Sequence, residues 1–234
     1  MLPILQADLL KVKLKWFWLL VFLGPFGVIA LQVVNYSVRY DWIMQQHPDE
    51  WGSLIQFVNM FVCPALLLGM TILASQIASI EHSQTSWKQL LALPVKRRDV
   101  FVSKFLVTAM MIGISSILLF IGTIALGVGL GFGWDFPILA ILENSFYPFF
   151  AGLPVLALQL WMSIVAKNQA GPLAIGIFGA VFSTYAYEAP DWLIWKWPLM
   201  FPGKDPLLFV GLGLLVGLLI ITVGVLDFKR RDIA

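Results

Sequence analysis

The chain has 234 residues, 60% of them hydrophobic and 12% charged, with a mean hydropathy of +0.89. A soluble core cannot hide that much apolar surface, so the composition excludes a soluble globular domain and points to an integral membrane protein. The net charge of +2 says little as a total, but its division along the chain is informative.

Residues 2–15 predict a helix whose stripe of Leu5, Leu9, Val12 and Trp16 follows helical spacing, with Lys11 and Lys15 beside it. Such a basic, apolar helix suits the inner membrane interface. Leu10 and Leu14 lie on its other side, so a direct continuation into the first span is the alternative. Six stretches then follow without any Asp, Glu, Lys, Arg or His: 16–34, 54–80, 105–131, 146–166, 170–187 and 207–226. Each meets the roughly 17–25 residues a helix needs to cross hydrocarbon. The second and third are longer than one crossing and imply tilt or protrusion. The first is long and lacks a small-residue cleavage site near its end, so it reads as a retained span and not a signal peptide.

Twelve of the fifteen basic residues fall on one side of this arrangement. Lys11, Lys13 and Lys15 precede the first span. Lys88, Lys96, Arg97, Arg98 and Lys104 lie between the second and third, Lys167 follows the fourth, and Lys229, Arg230 and Arg231 end the chain. The positive-inside rule makes those segments cytoplasmic, and both termini with them. The opposite side holds Arg39, Lys196 and Lys204 among eight acids. Tryptophans favour the headgroup level. Trp16 and Trp18 are therefore expected to mark the inner boundary, and Trp42, Trp51, Trp134, Trp192, Trp195 and Trp197 the outer one.

Several suggestive patterns have plain readings. His47-Pro48-Asp49-Glu50, in the outer segment 35–53, is turn chemistry without the two-His helical spacing of a zinc site. Gly127, Gly129, Gly131 and Gly133 follow no strand. The four-residue spacing of Gly127 to Gly131 and of Gly213 to Gly217 fits close helix packing in lipid instead. Cys63, the single cysteine, has no partner for a disulfide or a metal pair. No metal site is expected, and no repeat or linker divides residues 1–234, which read as one domain.

The most informative segment joins the second and third spans. Ser83 or Thr85 can cap a short helix that Pro94 ends, and Trp87, Leu90, Leu91 and Pro94 fall at i, i+3, i+4 and i+7. Its apolar face either enters a partner's pocket or lies on the membrane, and spacing alone leaves both open.

Glu81, the run Trp87-Lys88-Gln89-Leu90-Leu91-Ala92-Leu93-Pro94, the pair Arg97-Arg98 and Lys104-Phe105-Leu106 resemble the cytoplasmic loop of type-2 ATP-binding-cassette exporter permeases. The ending Leu226-Asp227-Phe228-Lys229-Arg230-Arg231-Asp232-Ile233 is similar to that family's basic, aromatic tail. The resemblance implies an all-α integral membrane fold of six transmembrane helices with an N-terminal interfacial helix and a short cytoplasmic coupling helix. It also implies a second permease, identical or homologous, and two ATPase subunits that carry ATP and Mg. This chain itself would hold no cofactor. Trp87, Leu90 and Leu91 would enter the ATPase cleft beside Lys88 and Pro94, Glu81 would sit at the hinge, and Arg97 and Arg98 would face the ATPase or lipid phosphates. The length and short outer loops look most like lantibiotic and bacitracin self-protection permeases of the Gram-positive bacterial plasma membrane. Permeases for lipid-linked polysaccharide share the architecture.

No GxxxxGK[ST] occurs, so energy has to arrive by contact with another chain. The six apolar stretches carry no ionisable group of the kind ion-coupled transporters use. Charge-free spans suit an amphipathic or apolar cargo, since unpaired charge is costly to desolvate. Gln32, Gln56, Asn59, Gln76 and Gln159 are the amides within spans. Gln56, Asn59 and Gln159, with Phe57, Met60 and Phe182, are candidates for lining a path, although interhelical hydrogen bonding explains the amides equally well. An intramembrane hydrolase is disfavoured because His47 and His82, the only histidines, lie outside the spans. A non-transporting anchor or regulator of an ATPase remains the rival reading. Nothing suggests nucleic acid as a partner.

Overall fold

In a computed structural model the described residues are 2–13, 16–83, 96–200 and 203–230. They form α1 (Leu2–Lys13), α2 (Phe17–Gln46), α3 (Glu50–Ser83), α4 (Arg97–Gly129), α5 (Ile138–Ala151), α6 (Leu153–Val165), α7 (Ala170–Ser183) and α8 (Pro206–Arg230). Two 3₁₀ turns, Ala186–Glu188 and Trp197–Leu199, lie between α7 and α8. Neighbouring long helices run in alternate directions, so the bundle has an α1 end and a far end.

Among the described residues, five apolar helices are long enough to cross a membrane, with α5 and α6 together forming one of them. The fifth expected span, 170–187, is realised as α7, a shorter apolar helix of 14 residues. At 1.5 Å per residue α7 reaches about 21 Å, short of the roughly 30 Å hydrocarbon thickness. Thr184 and Tyr185 close its last turns through bonds to the Val181 and Phe182 carbonyls.

The other helices outrun the uncharged stretches. The expected outer loop 35–53 is mostly helix, because α2 continues to Gln46 through a non-helical Arg39 and α3 starts at Glu50. Asp49 Oδ1 accepts from the Gly52 N–H at 3.0 Å and so satisfies one of the orphan donors at the start of α3. The fourth span begins at Ile138, not 146, and is interrupted at Gly152, with Pro148 and Pro154 on either side. Proline removes a backbone donor and disfavours a helical conformation before it, so the chain steps here instead of running straight.

α3 is the central helix and packs against α2, α4, α5, α6 and α7. At the α1 end the core is built around Phe17, Met70, Leu73, Phe101, Leu160 and Phe228. At the far end it gathers Tyr36, Trp51, Leu54, Val58, Phe132 and Ile141.

Trp16, Trp42, Trp134 and Trp192 are exposed. Trp51 and Trp197 are not. Trp51 is buried against Phe132, whose carbonyl takes its indole N–H at 3.1 Å, and Trp197 Nε1 donates to the Asp191 carbonyl at 2.7 Å. Both rings found backbone acceptors inside the fold, which removes the need for a headgroup-level position.

The glycine pairs also divide. A Cβ at Gly213 would strike the backbone of Phe150 and Ala151, and one at Gly217 would crowd Leu153 at 3.2 Å, so this pair seats α8 on the α5–α6 step. A Cβ at Gly127 would collide with the Trp51 ring. Gly131 has open space around it and a φ of +88°, so it serves the turn after α4 and not helix packing.

Candidate functional site

α1 ends at Lys13 and α2 starts at Phe17, so the N-terminal helix is a separate element. Its apolar stripe faces inward as expected: Ile4, Leu5 and Leu9 pack on the core and Val12 is buried, while Leu10 is exposed. Trp16, assigned to the end of that stripe, is 82% exposed. What the stripe also carries is Asp8, one turn from both Leu5 and Val12, and 5% exposed.

Through Asp8 and Lys11, α1 reaches the ends of the two helices that flank residues 84–95. Ser103 Oγ on α4 donates to Asp8 Oδ2 at 2.7 Å, and Lys104 Nζ donates to Asp8 Oδ1 at 3.3 Å. Lys104 Nζ also lies 3.0 Å from Glu81 Oε1 on α3, and Lys11 Nζ approaches the same oxygen at 2.7 Å. Lys104 and Glu81 are almost wholly buried, whereas the Lys11 side chain is 35% exposed. The two acids and two bases sum to zero charge, the condition under which such groups tolerate burial. Glu81 Oε2 has no hydrogen-bond partner among the described residues.

Neighbouring contacts extend this end of the bundle. Trp161 Nε1 on α6 donates to Asp227 Oδ2 on α8 at 2.9 Å, and Arg97 Nη1 at the start of α4 reaches the Lys229 carbonyl at 3.4 Å. Arg98 is exposed in the first turn of α4. Trp87, Lys88, Leu90, Leu91 and Pro94 lie outside the described residues.

The candidate path residues are not brought together. Gln56 and Met60 are exposed on the far half of α3, and the Phe57 carbonyl accepts from Gln32 Nε2 at 2.9 Å. Asn59 Nδ2 donates to Asn144 Oδ1 on α5 at 2.7 Å. Gln159, on the α1 half of α6, is buried and donates from Nε2 to the Pro172 carbonyl at 2.6 Å. Phe182 stacks on Phe178 with centroids 6.1 Å apart, beside Trp195 in an apolar cavity. All three contacts just described that involve amides are interhelical, the second of the two readings offered for them.

Sequence reasoning found Glu81 and Lys104 but missed Asp8 as a member of the cluster. The signal was present: a carboxylate inside an apolar helical stripe needs a cation beside it once it is buried.

At the far end, Lys196 is 5% exposed and donates to the Tyr187 and Ala189 carbonyls while pairing with Asp191 Oδ1 at 3.0 Å. Lys204 pairs with the other oxygen of Asp191. These two ammonium groups, Lys204 first, hold the Asp191 carboxyl below the ordinary range.

The family model for ABC-2 family transporter protein matches residues 4–183. No curated protein and no solved structure matches the chain. The matched region covers more than half of the chain, so this protein belongs to the ABC-2 transporter family and is a multi-pass membrane permease component of an ABC transporter.

Proposed function

We propose that this chain is the permease subunit of an exporter that moves an amphipathic or hydrophobic compound, a peptide antibiotic or a molecule like it, out of the bacterial plasma membrane. Two separate ATPase subunits, loaded with ATP and Mg, bind at the α1 end, which faces the cytoplasm. Trp87, Leu90 and Leu91 enter the ATPase cleft, with Lys88 and Pro94 shaping that helix and Arg97 and Arg98 beside it. A second permease, identical or homologous, completes the transporter. α7 and the turns that follow it provide the sixth crossing.

The observation that carries this reading is the ionic cluster. Residues 84–95 leave from the end of α3 and return at the start of α4, and Glu81 and Lys104 tie those two ends to each other and to Asp8 of α1. A push on the loop therefore moves three helices together. ATP-driven closure of the ATPase pair tips α3 and α4 as a unit and opens a route outward, a rigid-body transition between two packed arrangements. Glu81 thus serves as a clamp at the hinge.

Co-purification tests the proposal. Tagged protein in detergent should retain an ABC ATPase, and Trp87→Ala or Leu90→Ala should weaken that retention. Recovery of no ATPase with the unaltered chain would overturn it. The rival reading, a non-transporting anchor or regulator, predicts that the ATPase is retained but that vesicles show no ATPase stimulation by any amphipathic peptide and no peptide movement.

A further inference from the structure

Pro25 interrupts the backbone bonding of α2 inside the membrane. It lies eight residues beyond Phe17, the start of that helix, which is about 12 Å at 1.5 Å per residue. Proline has no N–H, so the carbonyl of Val21, four residues earlier, lacks the donor that would close its helical turn. At membrane depth a freed backbone group needs a substitute, supplied by hydroxyl side chains or ordered water. Val21 and Pro25 are both buried, so this carbonyl lies on the face of α2 turned toward the bundle.

A cavity of about 40 Å³ lies against that face. Val21, Gly24 and Pro25 of α2 line one side, Ser115 and Ser116 of α4 another, and Ser145 of α5 a third. Hydroxyls inside helices commonly bond the carbonyl four residues earlier. On α4 itself, Thr108 and Thr123 do so, donating to Lys104 and Leu119. The hydroxyls of Ser115 and Ser116 have no hydrogen-bond partner among the described residues. A Cβ at Gly24 would lie 3.6 Å from Ser115 Oγ, so that hydroxyl faces α2 one turn from Val21.

Size and polarity together decide what fits. A water needs about 10–15 Å³ of such space and two to four polar partners, whereas a cavity of the same size with apolar walls stays dry. This cavity exceeds the first requirement and meets the second. The Val21 carbonyl accepts, and the two free serine hydroxyls each donate and accept. Ser145 gives its proton to the Ile141 carbonyl at 2.8 Å and keeps its lone pairs as acceptors.

We propose that this cavity binds water that bridges the Val21 carbonyl of α2 to the Ser115 and Ser116 hydroxyls of α4, with Ser145 of α5 as a further acceptor. The bridge makes Pro25 a hydrated hinge. A fixed backbone bond is replaced by one that reorients, so α2 bends there while staying joined to α4. The site is independent of what the transporter moves.

The test uses the full-length protein in nanodiscs, with water itself as the probe. Radiolysis of bound water by an X-ray pulse oxidises the side chains beside it, including those that bulk water does not reach. Leu73, Ile112 and Leu119 line the cavity and are almost wholly buried, as are Leu67 and Leu160, which do not line it. The first three should be oxidised well above the last two, whose rate sets the dry background.

The double variant Ser115→Ala, Ser116→Ala keeps the space, favours helix and removes two partners. Oxidation of the cavity residues should fall about tenfold, the equivalent of two neutral hydrogen bonds. Pro25→Ala returns an N–H to the Val21 carbonyl and should lower it about fivefold, the equivalent of one. Oxidation of Trp134 and Trp192, exposed at the far end, should stay constant in both and reports an intact bundle. Equal oxidation of the two sets of buried residues in the unaltered protein, as direct bonds from the serines to their own helix would give, would overturn the proposal. So would cavity oxidation that either alteration leaves unchanged.

Discussion

Lys104 Nζ lies 3.0 Å from Glu81 Oε1 with both side chains almost wholly buried, and Asp8 of the N-terminal helix holds the other side of the same ammonium. The ends of the two helices that flank the loop are thus joined by charge at a point where water does not weaken it. Removing one member would leave an uncompensated charge, which costs about 3–5 kcal/mol in buried pairs. Lys104→Met and Glu81→Gln should each lower thermal stability in detergent by an amount in that range. The double variant should lose much less than the sum of the two, because the groups act on each other. Additive losses would mean that the pair is not coupled.

Asp8→Asn keeps the shape and the hydrogen bond from Ser103 but removes charge from the cluster. Its expected effect is looser attachment of α1, seen as faster proteolysis or amide exchange in 2–13 while the rest of the bundle stays protected. Unchanged protection would place the hold on α1 in Val12 and the leucines alone.

Trp87→Ala addresses the loop. An aromatic anchor in a pocket is worth about 2 kcal/mol or more, so ATPase affinity should fall about 30-fold or further. Thermal stability of the isolated permease should not change. Titration of the purified ATPase against the nanodisc-embedded permease measures the affinity, and thermal unfolding of the permease alone measures the stability.

Gln159→Ala separates packing from path lining. Gln159 is buried and its amide N–H is taken by the Pro172 carbonyl, so the expected result is a loss of about 1 kcal/mol in stability with substrate range unchanged. A changed range in transport assays would instead make Gln159 a wall of the route.

Gly127→Leu should destabilise the far end, since any Cβ there meets the Trp51 ring. Overpacking of this kind costs about 1–3 kcal/mol. Trp51 emission should shift to the red as the indole leaves its site against Phe132, and the double variant with Trp51→Ala should recover much of the loss.

The cap between α7 and α8 should be acid-sensitive in one direction. Lys204 and Lys196 lower the Asp191 carboxyl in the folded protein. Stability from these pairs is fully present above the unfolded value of about 3.9 and disappears as pH falls through the lower folded value. Tryptophan fluorescence of the cap, with Trp197 bonded to the Asp191 carbonyl, should therefore hold down to below about pH 3.9. Asp191→Asn should remove that acid limb.

Much of the fold is legible from composition because lipid imposes a simple rule: a helix has to keep its backbone bonded internally and its surface apolar. Uncharged runs locate the spans for that reason. They misplace the ends, since α2 and α4 continue past them with Arg39, Asp41 and Lys104 on board, and helices extend as long as backbone and neighbours allow. Glu81 and Lys104 were visible as family-like residues. Asp8 was visible only as an acid in the wrong stripe, because its partners lie 95 and 96 positions away.

The sequence by itself determined that the chain lives in a membrane, that it is helical, and that its basic segments gather on one side. Those properties follow from each residue's own transfer free energy and need no partner. Only the tertiary structure decided that Asp8, Lys11, Glu81 and Lys104 share one buried site, that Trp51 turns inward over Gly127, and that Pro25, Ser115 and Ser116 line one cavity. Each of these depends on which helix faces which, and that is set by packing between distant segments, a quantity no local pattern contains.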